Sequence, residues 1–144
     1  MKLRISLISC VFLFWVAFFI GETVYACSYP SFYLEIRNAT NNLLYFNYVS
    51  MKHAFIPPMP ETIDTGTTSR SLHFCGNNPI VDPKDGIVVY QNLLNPPGVY
   101  TISLSYARGT KFCMWYYQNM TKNAQVCDII KTTTTGPHCV CTLS

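Results

Sequence analysis

The stretch VYTISLSYA, residues 99–107, does most to limit the fold. Tyr100, Ile102, Leu104 and Tyr106 fall on one side, and Thr101, Ser103 and Ser105 on the other. A period of two is the pattern of a half-buried antiparallel strand. FYLEIR (32–37) repeats it, with Phe32, Leu34 and Ile36 opposite Tyr33, Glu35 and Arg37. LLYFNYV (43–49) is apolar on both faces and is expected to be a central strand. TTSRSLHFC (67–75) points Leu72 and Phe74 inward. GIVVYQN (86–92), KFCMWYYQ, AQVCDIIK and HCVCTL complete the series. NATNN, GNNPIVDPKDG, LLNPPG, RGT, QNMTKN and TTTTGP punctuate it as turns. FIPPMPETIDTG (55–66) is rich in proline, which cannot donate to a ladder, so a loop or sheet edge is expected there. No segment holds a helical period. The pattern predicts an all-β domain: an antiparallel β-sandwich of about eight strands, or a squashed barrel.

The first residues set the compartment. MKLR carries Lys2 and Arg4 and no acid; residues 5–21 carry no charge; ETVYA ends in small residues at Val24 and Ala26. A basic start, an apolar run and a small-residue exit define a secretory signal, here residues 1–26 with cleavage after Ala26. The uncharged run is shorter than the roughly 20 residues that span a bilayer, which disfavours a retained anchor. In a bacterial chain, cleavage before Cys27 would invite lipidation, although Tyr25 fits a lipobox poorly. Residues 27–144 are expected to form one domain, secreted to the extracellular space, or to the periplasm if the source is bacterial.

Seven cysteines occur, and Cys10 leaves with the signal. Cys27, Cys75, Cys113, Cys127, Cys139 and Cys141 remain. An even number in an exported chain predicts a disulfide framework. The turn between KFCMWYYQ and AQVCDIIK centres near residue 120, equidistant from Cys113 and Cys127, so a symmetric hairpin favours that pair. Cys139 and Cys141 share one strand face about 7 Å apart and should bond different partners, with Cys27 and Cys75 remaining as candidates.

Ten basic and seven acidic residues give a net charge of +3. The balance stays near neutral once Lys2, Arg4 and Glu22 are removed, and no basic run suggests nucleic acid. His73, Cys75, His138, Cys139 and Cys141 are soft ligands in type, but no Cys-x2-Cys spacing occurs and export favours oxidised sulfur, so no metal is expected. Neither a Gly-x-Ser-x-Gly elbow nor a His-Glu-x-x-His appears. Glu35, Glu61, Asp64, Asp82, Asp85 and Asp128 fall mostly in turns. A catalyst and a cofactor are therefore not expected. Asn38-Ala39-Thr40 and Asn119-Met120-Thr121 are glycosylation acceptors if the source is eukaryotic.

The aromatic strand is the candidate contact surface. Met114, Trp115, Tyr116 and Tyr117 supply apolar bodies with polar tips, suited to a protein, a glycan or a membrane lipid at a cell surface. Ile56, Pro57, Pro58 and Met59 form the second candidate, a rigid proline segment. The expected function is non-catalytic binding, with a lipid-binding or lytic protein and a secreted enzyme or inhibitor as alternatives.

LEIRNATNNLL, IDTGTTS, FCGNN, DGIVVYQ and GVYTISLSYARGTKFC follow one another in a layout that resembles aegerolysins and the wider actinoporin-like β-sandwiches. The resemblance spans residues 32–118. It implies a small β-sandwich that binds membrane lipids and assists pore formation. The six cysteines of the mature chain and the absence of an amphipathic N-terminal helix depart from that pattern.

Overall fold

The computed structural model describes residues 31–77, 84–107, 110–118, 120, 123–133 and 136–144. Among them the chain forms eleven strands and no α-helix: β1 Ser31–Asn38, β2 Leu44–Lys52, β3 Ala54–Phe55, β4 Thr62–Ile63, β5 Leu72–Gly76, β6 Lys84–Gln91, β7 Val99–Ala107, β8 Thr110–Tyr117, β9 Gln125–Val126, β10 Asp128–Thr133 and β11 Gly136–Leu143. Three of these, β3, β4 and β9, are two residues long. About eight strands were expected; the extra ones are short pairings at sheet edges. The expected signal segment, with Cys27, lies outside the described residues.

The strands form two sheets, ordered β10-β11-β1-β5-β3 and β4-β2-β6-β7-β8-β9. The alternation in β1 turns Phe32, Leu34 and Ile36 fully inward, and Leu72 and Phe74 of β5 join them. From the other sheet come Leu44, Val88, Tyr90, Tyr100, Ile102 and Leu104, and both sets belong to one buried cluster. Each such side chain contributes about 1.5–3 kcal/mol relative to an exposed position.

Two strands pass from one sheet into the other. β2 turns at His53, a left-handed residue with φ of 61°, and continues as β3. β9 turns at Cys127 and continues as β10. Such sheet-switching bends are the usual way to make corners between packed layers. The proline-rich connection joins β3 to β4, each at the edge of its sheet, as its lack of donors requires.

Two expectations need correction. The pairing is not wholly antiparallel: β1 and β11 run parallel, from Tyr33↔His138 to Asn38↔Leu143. A parallel pair needs a long crossover, and the whole intervening chain supplies it. β2, read as a central strand, is covered by β4 only at Leu44 and Tyr45. Beyond that point it is an edge, and Tyr48 is exposed.

Candidate aromatic site

β7 and β8 pair with Tyr100 opposite Tyr117, Ile102 opposite Trp115 and Leu104 opposite Cys113. Cys113, Trp115 and Tyr117 therefore share the inner face, while Met114 and Tyr116 lie half-buried on the outer one. Exposure rises along the inner face, from Trp115 at 6% to Tyr117 at 39%. The opposite sheet runs out there, since β11 ends at Leu143. The result is a recess of about 270 Å³ with Tyr100, Trp115 and Tyr117 as its aromatic walls. Met120, Asn123, Gln125 and Ser144 also line it.

The rings are tilted against one another. The Tyr100 centroid is 6.1 Å from that of Trp115 and 5.0 Å from that of Tyr117, at interplanar angles of 44° and 54°. Burial, and then the neighbouring Tyr117, push the Tyr100 phenol above its ordinary pKa of 10.0, so it stays protonated across the physiological range. The 92–98 loop positions Tyr117. A Cβ at Gly98 would stand 2.8 Å from the Tyr117 ring and hydroxyl, so only glycine lets the ring lie there. Asn92, buried, accepts from the Gly98 amide at 2.7 Å and from the Leu94 amide at 3.3 Å. The Gln118 amide side chain donates to the Pro97 carbonyl at 2.8 Å. At the tip of this loop Leu93 is 68% exposed and Leu94 52%.

Charge is sparse along the segments that line the recess: no Asp, Glu, Lys or Arg occurs in residues 86–107, 112–121 or 140–144, and Lys122 precedes Asn123. These runs are plain in the sequence. The register that gathers them at one end is not, and Tyr100, Asn123 and Gln125 were not singled out as site residues for that reason.

The proline segment does not join this site. β2, β6 and β7 stand between β4 and β8, a separation of about 19 Å at 4.7–4.9 Å per strand. Ile56 is exposed, but Met59 packs against the core. The Pro58 and Pro60 carbonyls accept from the Arg70 guanidinium at 2.8 Å and the Tyr90 hydroxyl at 2.9 Å. The two expected halves of one contact surface are thus separate.

The cysteines also depart from expectation. Cys113 bonds Cys139, with Cα atoms 6.3 Å apart, and Cys127 bonds Cys141, at 4.5 Å. The favoured Cys113–Cys127 pair is overturned, although the two do face each other: the Cys127 amide donates to the Cys113 carbonyl at 2.8 Å. At a hydrogen-bonded position of this kind side chains stand wider apart, and each sulfur turns inward to β11 instead. Cys139 and Cys141 do take different partners, but not Cys27 and Cys75. Cys75 is disulfide-bonded, with its partner outside the described residues.

His138 and His73 lie on the other face of β11 and β5 from the bridged sulfurs of Cys139 and Cys141, so the strand pleat splits the His-Cys-x-Cys cluster. His138 Nε2 is 2.9 Å from Glu35 Oε1. Tyr33 stacks on His73 at 4.2 Å and 12°. Among the described residues no group of three or more His, Cys, Asp or Glu is arranged to hold a metal ion. Asn38, one of the two expected glycan acceptors, lies at the end of β1. It is fully buried, and its Nδ2 donates to the carbonyls of Asn42 and Ile63. Asn119 lies outside the described residues.

A scan against protein-family models finds no match, and a search of curated proteins finds no similar sequence.

Proposed function

We propose that this chain is a secreted, disulfide-stapled β-sandwich that binds an extracellular or cell-surface partner without catalysis, through the aromatic end around Tyr100, Trp115 and Tyr117. The carrying observation is the aromatic recess, whose described lining holds no charged side chain. Aromatic side chains supply contact area at low entropic cost, and half-exposed ones at the mouth of a recess fit a binding role better than a packing role. The disulfides that cross-link the strands fit an oxidising compartment. Labelled mature protein, residues 27–144, is expected to bind a panel of cell surfaces saturably. Tyr117→Ala and the double change Leu93→Ser with Leu94→Ser should each weaken binding about tenfold, as hot-spot truncation does. Undiminished binding by both variants would move the contact surface elsewhere.

A second reading, a lipid-binding β-sandwich of the aegerolysin-like kind, draws on Leu93 and Leu94, which project from a loop without charge. Exposed leucines beside tyrosine and tryptophan suit the bilayer interface. Sedimentation with vesicles, together with dye release, separates this reading from the first.

A further inference from the structure

We infer that the recess walled by Tyr100, Trp115 and Tyr117 is a saccharide subsite that takes one neutral pyranose ring of a glycan. The inference rests on the binding-protein reading above and specifies its ligand class.

Size is the first argument. At about 270 Å³ the recess falls below the range of pockets that enclose drug-sized ligands. A single sugar ring fits that space. Shape of chemistry is the second. A pyranose has an apolar C–H face and a hydroxyl equator. The polarised C–H bonds are attracted to the negative face of an aromatic ring; Tyr117, 39% exposed, offers such a surface, with the buried Trp115 beside it on the same side of β8. Hydroxyl pairs are met by groups that both donate and accept. The Asn123 and Gln125 side-chain amides and the Ser144 hydroxyl have that capacity; all three residues line the recess, and Gln125 is the cross-strand partner of Trp115.

Charge is the third argument. Among the described lining residues no side chain is charged. An anionic sugar or a phosphate finds no cationic side chain among them, whereas a neutral saccharide requires none.

The probe is built in. Trp115 is the only tryptophan of residues 27–144, so its emission reports occupancy of the recess. Mature protein is titrated with methyl glycosides of glucose, galactose, mannose, fucose and N-acetylglucosamine, and separately with phosphatidylcholine vesicles. At least one glycoside is expected to change Trp115 emission saturably. Its Kd should be millimolar, as about a dozen non-hydrogen atoms at ordinary ligand efficiency give. Asn123→Ala and Gln125→Ala, both at exposed positions, should each weaken it at least about fivefold, the loss of one or more hydrogen bonds, with circular dichroism unchanged. No saturable response up to about 100 mM, or a response indifferent to both substitutions, overturns the subsite. Vesicle binding without any glycoside response assigns the recess to lipid and overturns it too. Cell binding that depends on Tyr117 but resists competition by every glycoside removes the saccharide inference and leaves the binding-protein reading standing.

Discussion

Asn38 shows how much one side chain can hold. Its Nδ2 donates at 2.8 Å to the Asn42 carbonyl and at 2.9 Å to that of Ile63; its Oδ1 accepts from the Thr40 amide at 3.0 Å and the Thr40 hydroxyl at 2.7 Å. An asparagine side chain offers two donors and one acceptor oxygen with two lone pairs, and all are used. Asn38→Ala strands several buried groups, each worth about 1–3 kcal/mol. A loss of about 3 kcal/mol is expected, read as a lower urea midpoint at unchanged slope. Peptide mapping of protein expressed in a eukaryotic host should show Asn38 unmodified. From the sequence this residue read as a turn with a glycan acceptor. The turn is there; the burial of Asn38 comes from β4 and the end of β11, both remote in sequence. His73 supplies a second test. Burial lowers its pKa below 6.5. The unfolded chain therefore binds the proton more readily, so this contribution is full above about pH 6.5 and is lost as pH falls through the folded-state value. Melting temperatures measured from pH 8 to 5 should decline less steeply in His73→Gln than in the parent.

At the scale of elements, the disulfides show where one-dimensional reasoning stops. The hairpin register is legible: Met114 faces Val126 and Trp115 faces Gln125, which puts Cys113 opposite Cys127 as the turn centre predicts. What decides the bonding is which face each sulfur takes and what lies across the core. Across the core is β11, whose Cys139 and Cys141 are fully buried. Cys113–Cys139 ties β8 of one sheet to β11 of the other, closing a sequence separation of 26 residues. Cys127–Cys141, over 14 residues, holds the corner where β9 becomes β10. Loops of these lengths correspond to about 3 kcal/mol each. Paired replacement by alanine, Cys113 with Cys139 or Cys127 with Cys141, should lower stability by about that amount in urea titration. Bond mapping of the intact protein should find neither a Cys113–Cys127 nor a Cys139–Cys141 peptide.

For the whole molecule, β11 is the keystone. It lies between β10 and β1, carries both described bridges and sends Leu143 into the core. Deleting residues 136–144 is expected to abolish cooperative unfolding, seen as a broad, shallow transition by circular dichroism; a sharp transition of parental slope would show that the remaining strands hold together without it. The strands of this molecule are local matters. Alternation in β1, β5 and β7 fixes which side chains point inward, and prolines fix where pairing must stop, because pleat and missing donors are properties of a few adjacent residues. The long stretches without charge, residues 86–107 and 112–121, are likewise written in the chain. Partnership between distant segments is not. The parallel pairing of β1 with β11, the crossing of the sulfurs between sheets, the burial of Asn38, and the gathering of Tyr100, Trp115, Tyr117, Asn123 and Gln125 around one recess were decided by tertiary structure. Each depends on the relative placement of two sheets, which is set by how their apolar faces fill one core and not by any short run of residues.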